Sequence, residues 1–202
     1  VIETFLTIDQ TFGPEEIKEK GSRFISFIYP VKTKDAAETA IAGLRKKYYD
    51  STHVCFAYRL GEGVESYFRY NDDGEPSGTA GLPIYNEIKS KSYFNILAAV
   101  VRYYGGTKLG TGGLTRAYGR AAKLVLDASV PVTVRITCSV SLSLPYDFTG
   151  ELMHLINRFS IYIQKQEYSS GGIDIELDVP VAALEEFKHL ITERSGGKIK
   201  LN

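Results

Sequence analysis

An unbroken apolar run, Ile96-Leu97-Ala98-Ala99-Val100-Val101, has the pattern of a strand covered on both faces. Arg102, Tyr103 and Tyr104 close it. Gly105, Gly106, Gly110, Gly112 and Gly113 follow, with Lys108 among them. Leu114, Ala117, Ala121, Leu124 and Val125 then recur at helical spacing. The stretch from Asn95 to Asp127 therefore predicts strand, glycine-rich loop and amphipathic helix. Upstream, Glu15 to Lys20 reads as a charged edge strand, and Phe24 to Tyr29 as a strong strand ended by Pro30. Thr33 is placed to cap a helix that runs to about Tyr48, with Ala36, Ala37, Ala40, Ile41 and Leu44 as its apolar face. Thr52 to Leu60 alternates as a strand, with His53 and Cys55 on the same face. Gly61 to Glu65 reads as a turn and Ser66 to Tyr70 as a short strand. Ser77 or Thr79 is expected to cap a helix through Ile84 and Ile88, with Pro83 in its first turn.

After Pro131 the period changes. Val132, Val134, Ile136, Cys138, Val140, Leu142 and Leu144 alternate with polar residues, the mark of one long half-buried strand. Pro145-Tyr146-Asp147 leads a helix through Leu152, Leu155, Ile156 and Phe159. Ile161 to Tyr168 and Ile173 to Val179 form a hairpin about Ser169-Ser170-Gly171-Gly172. Pro180 opens a second helix that Gly196-Gly197 ends, and Lys198 to Leu201 is a last strand. The order βαββαβ is the ferredoxin-like plan, which hosts many functions. The expected organisation is an α+β chain of two domains, residues 1–129 and 130–202.

Glycines cost backbone entropy and pack no side chain, so five close together need a reason: a tight turn, or something that approaches the backbone. Charge suggests what approaches. No acidic residue lies between Glu87 and Asp127, whereas Lys89, Lys91, Arg102, Lys108, Arg116, Arg120 and Lys123 do. Unpaired N–H groups at a helix start, beside cations, favour an anion. The alternative is a tight connection whose cations are simply solvated. The loop lacks the Gly-Lys-Ser/Thr ending of a phosphate-binding P-loop, and Thr115 stands where the third glycine of GxGxxG belongs. The candidate anion or RNA contacts are Arg102, Tyr103, Gly105, Gly106, Lys108, Gly110, Gly112, Gly113 and Arg116.

The preceding segment is acidic: Asp72, Asp73 and Glu75 sit within four residues. They can hold a divalent cation, although EF-hand spacing is absent. The favoured expectation is a turn whose acids accept backbone N–H bonds, cap the next helix and pair with Arg102, Lys108 or Arg116. His53 and Cys55 raise the thought of a thiolate nucleophile, but no third orienting group is evident. No metal site and no cofactor is expected, and the balance leans away from an enzyme.

Composition narrows the classes further. The 202 residues carry 24 Lys/Arg against 24 Asp/Glu, which excludes a general polyanion-coating role. No apolar run reaches membrane-spanning length. Cys55 and Cys138 have no metal spacing and read as reduced, buried thiols of a cytoplasmic protein. His154 and His189 are expected at the surface.

The segment from Val100 to Tyr118, VVRYYGGTKLGTGGLTRAY, closely resembles the signature of the IMPACT family. Asp72 to Gly81, Lys20-Gly21-Ser22-Arg23-Phe24 and His53-Val54-Cys55 match the same family, in the same order. The resemblance covers about residues 15–128 and is followed by a typical bacterial C-terminal extension. Departures are small: Tyr104 stands where phenylalanine is common, and Thr107 at a variable position. The resemblance implies an N-terminal domain like the second domain of a ribosomal small-subunit protein and domain four of elongation factor G. It implies a C-terminal domain like the last domain of that factor. Eukaryotic relatives regulate translation by competing for the activator of a starvation kinase, partly through an added N-terminal module that has no counterpart in these residues. The expected function is a translation-associated regulator that binds RNA or the ribosome through the cationic loop, with a protein partner in translation control as a further possibility. The alternatives are an enzyme acting on a phosphorylated small molecule and a protein-interaction regulator that touches no nucleic acid.

Overall fold

A computed structural model describes residues 3–62, 65–196 and 198–201. The tip of the turn expected at 61–65 (residues 63 and 64) and Gly197 of the expected helix stop lie outside the described residues. The chain divides into two compact units, Thr4–Val134 and Arg135–Asn202, the latter joined by Val1–Glu3. The division falls five residues beyond the expected 129/130 boundary. The difference is a short strand, Val132 to Arg135, which pairs with the strand Thr4–Thr7.

In the first unit the elements are β1 (Thr4–Thr7), β2 (Phe12–Glu19), β3 (Ser22–Pro30), α1 (Lys34–Lys47), β4 (His53–Glu62), β5 (Glu65–Asn71), α2 (Gly81–Ser90), β6 (Ile96–Tyr103), α3 (Gly110–Ala128) and β7 (Val132–Arg135). A five-stranded antiparallel sheet in the order β2-β3-β6-β4-β5 carries helices on both faces. The central strand β6 explains the unbroken apolar run. Ile96, Ala98 and Val100 pack on one face with Ile84, Ile88, Leu114 and Tyr118 of α2 and α3. Leu97, Ala99 and Val101 pack on the other with Ala37, Ile41 and Leu44 of α1. Both faces are covered, so neither can be polar. Arg102, next in the alternation, therefore points to the α2/α3 side, where a charge must find a partner.

Caps follow local chemistry in one case and tertiary chemistry in another. Thr33 caps α1 as expected, its Oγ1 accepting the Ala36 N–H at 3.1 Å. Neither Ser77 nor Thr79 caps α2. Asp72 does so from outside the helix, one carboxylate oxygen accepting the N–H groups of Ala80 (2.9 Å) and Gly81 (2.8 Å). The intervening loop folds back so that the other oxygen takes the Gly78 N–H.

In the second unit the elements are β8 (Thr137–Leu144), α4 (Thr149–Phe159), β9 (Tyr162–Ser169), β10 (Gly172–Pro180), α5 (Leu184–Arg194) and β11 (Lys200–Leu201). The sheet is antiparallel in the order β11-β8-β10-β9. Val140, Leu142 and Leu144 of β8 and Ile173, Ile175, Leu177 and Val179 of β10 meet Leu152, Leu155, Phe187 and Ile191 of the helices. The long strand expected from Val132 to Leu144 is two strands broken at Ile136, because β7 pairs with β1 and β8 with β10. The helices expected directly after Pro145 and Pro180 each begin with a short 3-10 turn. Cys138 is only partly buried, since β8 begins at the rim of its sheet, whereas Cys55 is fully buried. His154 and His189 are exposed.

Candidate functional site

At the end of β6 lies a buried polar cluster. Arg102 Nη1 donates to Glu75 Oε1 at 2.5 Å, and the Tyr118 hydroxyl of α3 donates to the same oxygen at 2.8 Å. Arg102 and Glu75 side chains are 6% and 4% exposed, so this pair is desolvated and both members depend on each other. Arg102 Nη2 donates to Ser22 Oγ at 3.3 Å, and the Gly105 N–H donates to the same hydroxyl at 3.1 Å. Arg102 Nε has no partner among the described residues. The cluster thus ties the acidic loop, the start of β3 and the start of the glycine loop at one point. Gly21 and Gly105 permit the crossing: a Cβ on Gly105 would lie 1.9 Å from the Gly21 carbonyl carbon.

His53 and Cys55 border this cluster from β4. His53 Nδ1 lies 2.6 Å from the Asp73 carbonyl oxygen, so it carries the proton, and Nε2 lies 3.9 Å from Glu75. The Cys55 thiol donates to the Asp72 carbonyl oxygen at 3.1 Å and sits 3.3 Å from the Tyr118 hydroxyl. Burial pushes the Cys55 thiol far up, and burial does the same to the Tyr118 phenol. The thiolate that a nucleophile requires is strongly disfavoured here.

All three acidic-loop carboxylates act as internal acceptors. Asp72 caps α2. Asp73 accepts the Val54 N–H at 2.7 Å and pairs with Arg45 at 2.5 Å. Glu75 holds Arg102 and Tyr118. Of the three cations expected to face this loop, Arg102 alone does so among the described ion pairs. Arg45, which the sequence pattern left unremarked as a helix-surface cation, is the second.

The glycine loop divides into a fastened part and an open part. The Tyr103 hydroxyl donates to Asp50 at 2.7 Å, and that hydrogen bond pushes the phenol up to about 12. The Tyr104 N–H donates to Thr52 Oγ1 at 2.9 Å. Beyond Gly105 the character changes. No side chain among the described residues accepts from any N–H between Gly106 and Gly113, and α3 has no side-chain cap. Gly106 and Gly110 turn the chain with φ of +84° and +70°. Lys108 and Arg116 are exposed, and neither is in a described ion pair. A side chain on Gly112 would meet the Arg116 guanidinium at 3.5 Å, so Arg116 lies back over the first turn of α3.

The expected binding set therefore separates. Gly106, Lys108, Gly110, Gly112, Gly113 and Arg116 share the open stretch. Arg102, Tyr103 and Gly105 are bonded inward, with Glu75, Asp50 and Ser22. Ser22, Thr52 and Asp50 escaped sequence reasoning because each lies more than fifty residues from its partner.

A family model described as the Impact N-terminal domain matches residues 20–126. Over 98% of its length the chain is 33% identical to the IMPACT family member YvyE of Bacillus subtilis (strain 168), covering 90% of that protein. It is 31% identical to the IMPACT family member YigZ of Escherichia coli (strain K12), over 93% of this chain and 91% of that one. A crystal structure described as that of a hypothetical protein superposes with a TM-score of 0.75 at 28% identity, covering 100% of this chain and 97% of the other.

Proposed function

The chain belongs to the IMPACT family, and from that premise we propose that it binds the phosphate backbone of structured RNA, in the setting of translation, through the open stretch Gly106–Gly113 with Lys108 and Arg116. The observation that carries this reading is the run of backbone N–H groups without side-chain acceptors at the start of a 19-residue helix, with one exposed cation within the run and another folded over it. Tyr104 beside it is 47% exposed and offers a ring for a base to stack on. The strand order β11-β8-β10-β9 supports a ferredoxin-like second domain. The covered five-stranded sheet is the basis for likening the first to the second domain of a ribosomal small-subunit protein. No described helix is long and apolar enough to cross a membrane, and a cytoplasmic setting suits an RNA ligand.

Binding is favoured over catalysis on a phosphorylated small molecule by the engagement of Asp72, Asp73 and Glu75, which such chemistry would need as metal ligands or base. The test is ribosome co-sedimentation and RNA anisotropy at several salt concentrations. With Lys108→Ala and Arg116→Ala together, affinity falls and the log–log salt slope flattens by roughly 0.7 for each phosphate no longer neutralised. Unchanged affinity and slope would overturn the reading. Thermal stabilisation by a mononucleotide with magnesium, and not by RNA, would point to the enzyme instead.

A further inference from the structure

α2 and α3 leave an open groove of about 440 Å³ between them, which shares Arg116 with the open stretch of the glycine loop. Its floor is Leu82, Pro83 and Gly119. Its α3 wall is Arg116, Arg120 and Lys123, spaced four and three residues apart and hence on one side of the helix. Glu87 is the acid on the α2 wall.

Gly119 is the telling residue. It sits inside a 19-residue helix without positive φ, so no turn requires it. A Cβ there would meet only the Glu87 carboxylate, at an ordinary 3.8 Å, so no close packing requires it either. Glycine in a helix interior costs about 1 kcal/mol relative to alanine. What its missing side chain does is keep the groove open. Leu82, on that floor, is 37% exposed apolar surface.

We infer that this groove docks an amphipathic helix of a protein partner, one that lays an apolar side chain on Leu82 and Pro83 and sets carboxylates against Arg116, Arg120 and Lys123. Charge complementarity selects the acid. Arg120 and Lys123 are held by Glu19 and Asp127, but with side chains 60% and 56% exposed these bridges exchange readily with an incoming carboxylate. Spacing selects the helix, because three cations along two turns of α3 match acids at the same interval on a second helix. The floor selects against nucleic acid. It is aliphatic, with no ring for a base to stack on.

The probe is a synthetic helical peptide of roughly five turns, with glutamates four and three residues apart beside a leucine stripe. A permuted peptide of identical composition is the control, and both are measured by anisotropy against the full chain. The patterned peptide binds about tenfold or more tightly than the permuted one. Gly119→Leu, which fills the groove, abolishes the preference, and Gly119→Ala reduces it while raising helix stability. Lys123→Glu weakens binding, and a peptide with lysine at the matching position restores it. Equal binding of the two peptides, or an unchanged preference in Gly119→Leu, overturns the proposal. So does loss of hairpin-RNA binding in Gly119→Leu with Lys108 intact, which makes the groove part of an RNA path. Lys108→Ala moves RNA affinity alone, so failure of the groove and failure of the loop are told apart.

Discussion

The two units each bury a helix-covered antiparallel sheet, yet they differ in what they admit to the interior. In the second, β10 sends Ile173, Ile175, Leu177 and Val179 inward and Asp174, Glu176 and Asp178 outward, and its one buried polar side chain among the described residues, Ser195, bonds locally to Thr192. The first buries Thr7, Ser22, Ser26, Thr79, Glu75 and Arg102, an ion pair included. The second unit demonstrates that a sheet of this kind closes without interior charge. A buried pair adds little net stability over an apolar replacement, so its value in the first unit is positional. It fixes the point at which the glycine loop leaves the sheet. The exteriors differ as well. Thr4–Val134 carries 17 Lys/Arg against 14 Asp/Glu, whereas the remainder carries 7 against 10. Glu176 and Asp174 on the open sheet face, registered against Ser141 and Ser143, disfavour phosphate, so the RNA contact proposed above is assigned to the first unit.

The sharpest way to break this comparison is to remove one member of the pair. Glu75→Gln leaves Arg102 buried without its carboxylate, and the first unit loses about 3–5 kcal/mol. Urea unfolding followed by segment-resolved hydrogen exchange reads this as early opening of β3, β6 and α3, with the α4, α5 and β10 amides unchanged. A loss below about 1 kcal/mol would make the pair an ordinary surface bridge. The double change Glu75→Leu with Arg102→Met recovers most of the stability, because an apolar pair costs no desolvation. On the proposed reading it does not recover RNA affinity, because Arg102 no longer ties Ser22, which accepts the Gly105 N–H, to Glu75.

The next effect separates two glycines that look alike in the sequence. Gly105→Ala drives a Cβ into the Gly21 backbone, which cannot move aside as a side-chain tip would, and costs about 3 kcal/mol. Gly112→Ala meets only the mobile end of Arg116 and gains about 0.5–1 kcal/mol from helix propensity. Thermal melts of the two variants should move in opposite directions. If both fall, the open stretch is as tightly built as the fastened one, and the division of the loop is wrong.

That division marks where sequence reasoning stopped. Periodicity located nearly every element, because Ile96–Val101 and the alternation through β10 follow from which faces are covered. The acidic loop was legible as a turn that caps a helix, since Asp and Asn habitually accept nearby N–H groups. Which acid did so was not. Asp72 acts eight and nine residues ahead, beyond the reach of a local capping rule. The five glycines read as one loop with one purpose. Only the crossing of Gly21 under Gly105, which lie 84 residues apart in the chain, shows that the first of them serves packing and the later ones serve an open surface. A pairing of the acidic loop with Arg102, Lys108 or Arg116 was legible; that Arg102 made it, and with Glu75, was not, because the choice rests on Arg102 facing the covered α2/α3 side of β6.

The smallest effect compares one thiol in each unit. Cys55 is wholly buried and its thiol is pushed up by burial; Cys138 is partly exposed at the rim of the second sheet. A disulfide reagent added to the folded protein at about pH 8 therefore modifies Cys138 quickly, and Cys55 only as fast as the first unit opens. Stability should carry the same asymmetry. The folded protein keeps the Cys55 proton after the unfolded chain has released its own near about pH 8.5. The contribution is complete below that pH and declines above it, by up to about 1.4 kcal/mol for each further pH unit. Tyr118, raised for the same reason, adds to the decline above about pH 10. Melting of the first unit should fall more steeply than that of the second between about pH 8.5 and 10, and Cys55→Ala should flatten the early part of the fall. Equal slopes, or fast modification of Cys55 in the native state, would mean that the polar cluster beneath the loop is open to solvent. The buried ion pair would then lose its claim to set the position of the loop above it.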